Sequence, residues 1–272
     1  MAENQERDSR EQPRGADALM QHVAAHKVDV GLWTIRLLTI IFTIGYIIPI
    51  FRFVFIEVIF CTTLFKYLFY SSAESSYYKA ILANAATSAL RLHQRLPRVS
   101  ISRQFLAQLF LEDSCHYLLF SLIFLYVSPV LLVLLPIVLF AALHSASYSL
   151  TLLDTLGQNS WWGARLMISL IEFQSRNILR LASFSEIMIM PLTVILIFFG
   201  RASLFTPLMY YHFLTLRYAS RRNPYTRNMF YELRLSVESI AAKPTVPDFV
   251  RNAIYTGVTM VSRLAPVEQP VQ

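Results

Sequence analysis

Apolar positions run through long stretches of this chain and are punctuated by short clusters of basic residues. The longest stretch covers residues 105–150, and no charged side chain occurs between His116 and His144. One helix needs only about 20 apolar residues to cross roughly 30 Å of hydrocarbon at about 1.5 Å per residue, so the surplus predicts two helices. Ser128-Pro129 supplies the break, because proline lacks a backbone donor and biases its predecessor away from helix. Residues 105–127 and 130–150 are therefore expected to form a tight hairpin with both ends on one side. The competing reading is one long kinked span, since neighbours can re-satisfy the carbonyl that a proline frees.

The same pattern predicts further elements. Residues 31–50 are long enough to span, with Trp33 placed as an interfacial anchor and Arg36 near enough to one end to snorkel. Residues 53–70 are again apolar but carry Glu57 and Lys66, and form either a second span or an interfacial helix. Residues 186–200 and 204–219 are separated by Arg201, Ala202 and Ser203. As straight helices they reach only about 22 to 24 Å, the length of a shallow wedge. Three stretches show helical amphipathic spacing instead. The first contains Tyr78, Ile81, Leu82, Ala85, Ala89, Leu92 and Leu96 and lies on the membrane or against the bundle. The second contains Met229, Phe230, Leu233, Val237, Ile240 and Ala241. The third contains Val250, Ala253, Ile254, Val258, Val261 and Leu264, with Arg251 and Arg263 outside its stripe.

Composition agrees with a membrane protein: of 272 residues, 55% are hydrophobic and 15% charged, and mean hydropathy is +0.47. Residues 1–28 are hydrophilic and mixed in charge, which predicts a disordered polar tail and leaves the first apolar segment as the targeting signal. The net charge of +7 comes from basic residues flanking apolar segments, so anionic lipid headgroups are the expected partner and nucleic acid is not. Basic loops stay cytosolic, which assigns residues 71–104 and 151–180 to that side. The expected architecture is all-α, a polytopic integral membrane protein built of helical hairpins at 29–219, with a basic tail at 220–272 carrying two cytosolic amphipathic helices.

Little in the chain points to catalysis. Cys61 and Cys115 have no CxxC partner, seven glycines leave little for a phosphate loop, and the serines and histidines lack a GxSxG context. Glu112, Asp113 and His116 form the sharpest polar cluster. Glu112 and His116 at i, i+4 would share a helix face, yet a metal needs more ligands than two. A structural network between helices is expected there, with Arg36, Arg103 or His144 as counterparts; no catalytic residue, metal or cofactor is assigned.

Several stretches resemble one family: LANAATSALRLHQRLP at 82–97, FLAQLFLEDSCHYLLFSLIF at 105–124, FLTLRYASRRNPYTR at 213–227 and SRLAP at 262–266. They resemble the transmembrane protein 33 family, which also contains the Krüppel homologue 2 proteins and pore-membrane proteins of the nuclear envelope. The chain departs from the family pattern at 51–70, where a spanning helix would move the N-terminus to the other side. The resemblance implies a non-enzymatic, multi-pass protein of the endoplasmic reticulum and nuclear envelope that organises tubular reticulum with reticulon-type and nuclear pore partners. An adaptor in reticulum stress signalling is the alternative, and an ion channel or transporter a weaker one. It also associates the C-terminal helices with membrane binding. The residues expected to insert are Phe230, Leu233, Val237, Val250, Ile254, Val258 and Val261, with Arg221, Arg222, Arg251 and Arg263 meeting headgroups.

Overall fold

A computed structural model describes residues 15–51, 73–96, 102–158, 161–172, 174–220 and 223–265. Every regular element among them is a helix: α1 (Ala16–Ala25), α2 (Lys27–Phe51), α3 (Ala73–Arg95), α4 (Arg103–Leu111), α5 (Asp113–Phe124), α6 (Leu131–Leu156), α7 (Trp162–Glu172), α8 (Ser175–Phe198), α9 (Phe205–Ala219), α10 (Tyr225–Ala241) and α11 (Asp248–Leu264). The all-α membrane architecture read from the sequence is the one observed. Three helices are long and apolar enough to cross a membrane, over Lys27–Pro49, Leu131–Leu156 and Ser175–Phe198, and less than half of each is buried (28%, 39% and 44%). The outward remainder is apolar, as lipid-facing surface must be.

Six helices close into a ring of contacts: α2 on α3, α3 on α5, α5 on α9, α9 on α8, α8 on α6, and α6 back on α2. At one end the turns gather. The Ser128 amide donates to the Arg201 carbonyl at 3.3 Å, and the Tyr78 hydroxyl donates to the Val127 carbonyl at 3.3 Å. Gly200, at φ 66°, makes the turn after α8 in the left-handed region that only glycine enters cheaply. At the other end Gln94 Nε2 donates to Asp29 Oδ1 at 3.4 Å, and Trp33 Nε1 donates to Ser149 Oγ at 2.9 Å. Lipid tails are as apolar as leucine, so close backbone approach and hydrogen bonds between helices replace the hydrophobic effect as the packing force. Gly45 illustrates this, since a Cβ there would stand 3.4 Å from Ser76 Oγ.

Four expectations change. The central segment does break at the proline, with a turn over 125–130, but its arms splay: α5 packs on α3 and α9, while α6 packs on α2 and α8. Residues 73–95, expected as an amphipathic helix of a basic loop on the membrane or against the bundle, are a full member of the bundle and run along α2 for its length. Ser76, Tyr77, Ala80, Ile81, Thr87 and Ser88 turn inward, whereas Leu82 and Leu90 are exposed. The segment expected to begin at 186 begins at Ser175 and has 24 residues, about 36 Å. The basic residues that suggested a loop sit on its outer turns, where Arg180 pairs with Glu232 at 2.6 Å. Finally, part of the expected tail is ordered: α1 docks on α6, the Gly15 amide donating to the Thr155 carbonyl at 3.1 Å. The possible span at 53–70 lies outside the described residues.

Candidate functional site

Two regions carry the polar and amphipathic features that the sequence singles out. The first is a buried ion cluster where α5, α8 and α9 meet. Arg217 enters from the last turns of α9 and is 1% exposed. Its Nε donates to Glu186 Oε2 at 3.1 Å, and its Nη1 donates to Asp113 Oδ1 at 3.2 Å. Glu186, on α8, is fully buried. It also accepts from the Tyr117 hydroxyl and from Thr226 Oγ1 at 3.4 Å, while its backbone carbonyl accepts from the Tyr210 hydroxyl at 2.7 Å. Ser220 Oγ adds a bond to Asp113 at 3.0 Å. The guanidinium lies 5.2 Å from the Tyr117 ring centroid and 6.0 Å from that of Phe140. A buried ion pair survives in low dielectric only when further hydrogen bonds satisfy most of its remaining sites; here α5, α8, α9 and α10 supply them, and Arg217 Nη2 is left without a partner.

The expected trio divides between structures. Glu112 is not on a helix face with His116: it occupies the break between α4 and α5 with extended backbone. From there its carboxylate meets Arg95 at 2.5 Å. His116 is buried, and its Nε2 donates to the Phe110 carbonyl at 2.7 Å, which closes the kink. Asp113 pairs with Arg217. The counterparts are thus Arg95 and Arg217, and not Arg36, Arg103 or His144, because Arg95 from α3 and Arg217 from α9 are the cations that reach ion-pair distance of the two acids. Glu186 and Arg217 had no assigned role together. The available signal was one acid and one base, each inside an apolar run.

The second region is the C-terminal pair. In α10, Met229 belongs to the core and Phe230 and Leu233 pack against it, with Phe230 5.7 Å from the Tyr218 ring. Val237 is half-buried. This stripe therefore faces α8 and α9, a correction to its expected insertion in the bilayer. None of α11 is buried. Val250, Ile254 and Val258 are half-covered on the side turned to α10, while Phe249, Met260, Val261 and Leu264 are 75%, 65%, 52% and 49% exposed. Arg251 is held by the Ala241 carbonyl at 3.1 Å and by Asp248 at 3.0 Å, so it braces the α10 to α11 turn; Arg263 is exposed. Arg221 and Arg222 lie outside the described residues. Phe120, Phe124, Tyr210 and Phe213 form a layer of buried rings beside the cluster.

A ring of helices with lipid-facing flanks, an internal ion cluster and an amphipathic pair at one end defines a polytopic helical membrane protein. The comparisons with known proteins narrow this class. The chain belongs to the Transmembrane protein 33/Nucleoporin POM33 family, whose sequence profile matches residues 11–57 and 52–267. It is 51% identical to Krueppel homolog 2 of Drosophila melanogaster over 252 residues, covering 93% of this chain and 84% of that protein. It is 44% identical to Transmembrane protein 33 of Homo sapiens over 254 residues, 93% and 96% of the two chains. Identity to the Transmembrane protein 33 homolog of Caenorhabditis elegans is 37% over 253 residues, 92% and 86%. No solved structure matches the chain.

Proposed function

We propose that this protein is a non-enzymatic organiser of membrane shape in the endoplasmic reticulum and nuclear envelope, acting with reticulon-type and nuclear pore proteins. The observation that carries the reading is α11: seventeen residues whose apolar arc is left outside the bundle, with Phe249, Met260, Val261 and Leu264 exposed. An amphipathic helix of this kind lies in the headgroup region and adds area to one leaflet only, which favours curvature. The short helix α9, of fifteen residues and about 22 Å, widens that asymmetry as a shallow wedge. The nuclear envelope location is supported by the Nucleoporin POM33 branch of the family. The ion cluster has a passive role in this mechanism, fixing α10 to the bundle so that α11 is presented at a constant depth.

The test is reconstitution of the full-length chain into liposomes imaged by electron cryomicroscopy. Wild-type protein should convert vesicles into narrower or tubular forms as its density rises. Phe249→Asp with Met260→Asp, both on the exposed face, should lose most of that narrowing, leaving only the share due to α9. Equal narrowing by the double variant sinks the insertion mechanism.

A further inference from the structure

A polar cavity of about 340 Å³ opens at the end of the ring opposite the gathered turns, lined from α2, α3, α5, α6 and α9. A second lobe of about 250 Å³ continues it toward Asp29. Arg36, Arg91 and His144 line both lobes. Arg36 is 7% exposed, and its Nη2 has no hydrogen-bond partner. Arg91 is half-buried.

The acids in reach are largely committed. Asp113 lines the inner lobe but is bonded to Arg217 and Ser220. Arg95 is matched by Glu112 at 2.5 Å. Asp29, which also accepts from Gln94 at 3.4 Å, is left to face both Arg36 and Arg91. A withdrawn guanidinium whose donors are unmet is costly, and two such forks across a polar gap suit the oxygens of a tetrahedral anion, which arginine binds bidentately. Thr39, Thr87 and Ser88 line the same space and supply hydroxyl donors. A volume of about 340 Å³ lies at the small end of ligand sites, roughly 300 to 1,000 Å³, which suits a headgroup and leaves acyl chains outside.

We propose that this cavity binds a phosphate-bearing anion between Arg36 and Arg91, presented as a phospholipid headgroup or as a soluble phosphate. The site is independent of α11 and of the curvature mechanism.

The experiment uses the purified full-length protein in nonionic detergent and phosphate-free buffer, with thermal unfolding followed by tryptophan fluorescence. Inorganic phosphate and dioctanoyl phosphatidylinositol 4-phosphate are titrated separately, with dioctanoylglycerol as the phosphate-free control. A saturable rise in midpoint with the free ion supports the proposal with a soluble source; a rise confined to the phosphorylated lipid supports it with a headgroup. Arg36→Gln and Arg91→Gln should each weaken the response at least tenfold. Because Arg91 is only half-buried, Arg91→Gln decides the matter if Arg36→Gln does not fold, its ligand-free midpoint serving as the control. Absence of any saturable shift, an equal shift with dioctanoylglycerol, or unchanged affinity in Arg91→Gln overturns the proposal.

Discussion

Arg217 and Arg36 are both buried arginines of the same bundle, and they are treated in opposite ways. Around Arg217 two carboxylates, two hydroxyl donors to Glu186 and two aromatic faces close a network spanning five helices. Each of the two leaves its Nη2 without a hydrogen-bond partner, but Arg36 has no carboxylate in ion-pair contact among the described residues and faces an open polar cavity beside Arg91. Burial alone therefore says little about what a charge does. A charge paired with carboxylates ties helices together, whereas one that faces a cavity without such a pair stores a demand for a ligand.

The largest effects should come from the paired cluster. Arg217→Leu strands Glu186 without a counter-ion in a fully buried position, and removing one partner of a buried pair costs about 3 to 5 kcal/mol. The full-length protein should lose its cooperative unfolding transition in detergent or show a greatly lowered midpoint. Glu186→Gln is milder, because the Tyr117 hydroxyl keeps an acceptor and Arg217 keeps Asp113; a loss of about 1 to 3 kcal/mol is expected. The double variant Glu186→Met with Arg217→Met should be more stable than Arg217→Leu alone, as contacting charges are strongly non-additive. If the double variant is the worst of the three, the pair is not the unit described.

Arg36→Leu sharpens the contrast from the other side. With no ligand present it should change stability by less than about 0.5 kcal/mol or raise it, since an unpaired charge is exchanged for apolar volume. A loss as large as that of Arg217→Leu would mean that Arg36 is paired as fully as Arg217, and the comparison would collapse.

The sequence made some of this legible and hid the rest for physical reasons. The turn at Ser128-Pro129, the turn after Gly200 and both C-terminal amphipathic stripes are local signals, and all appear as helix boundaries or faces. The cluster is not local: Asp113, Glu186 and Arg217 come from three helices far apart in the chain, and each alone looks like a stray charge in an apolar run. The third helix, Ala73–Arg95, reads as part of a loop from its basic residues, Lys79, Arg91 and Arg95 among them, yet it turns Ser76, Tyr77, Ala80, Ile81, Thr87 and Ser88 inward. Its apolar spacing leaves open whether the membrane or the bundle covers that face. The stripe of α10 was read correctly as a stripe, but periodicity identifies an apolar face without saying whether lipid or protein covers it.

The smallest expected effect tests the charge balance of the open site. Asp29 lines the outer lobe beside Arg36 and Arg91 and sits in the first turn of α2. Asp29→Asn keeps an oxygen for the Gln94 bond and removes one negative charge facing the cavity. A unit charge acting over about 8 Å through a medium close to water is worth about 0.5 kcal/mol, so phosphate affinity should rise about two- to threefold. The same change removes a favourable charge from a helix N-terminus, worth about 0.3 to 1 kcal/mol, so the ligand-free midpoint should fall slightly while the ligand-induced rise grows. These opposite signs separate the cavity from a general loss of fold, which would lower both. Weaker phosphate binding in Asp29→Asn would show that the acid helps to hold the ligand's cradle and does not compete with the ligand for Arg36 and Arg91.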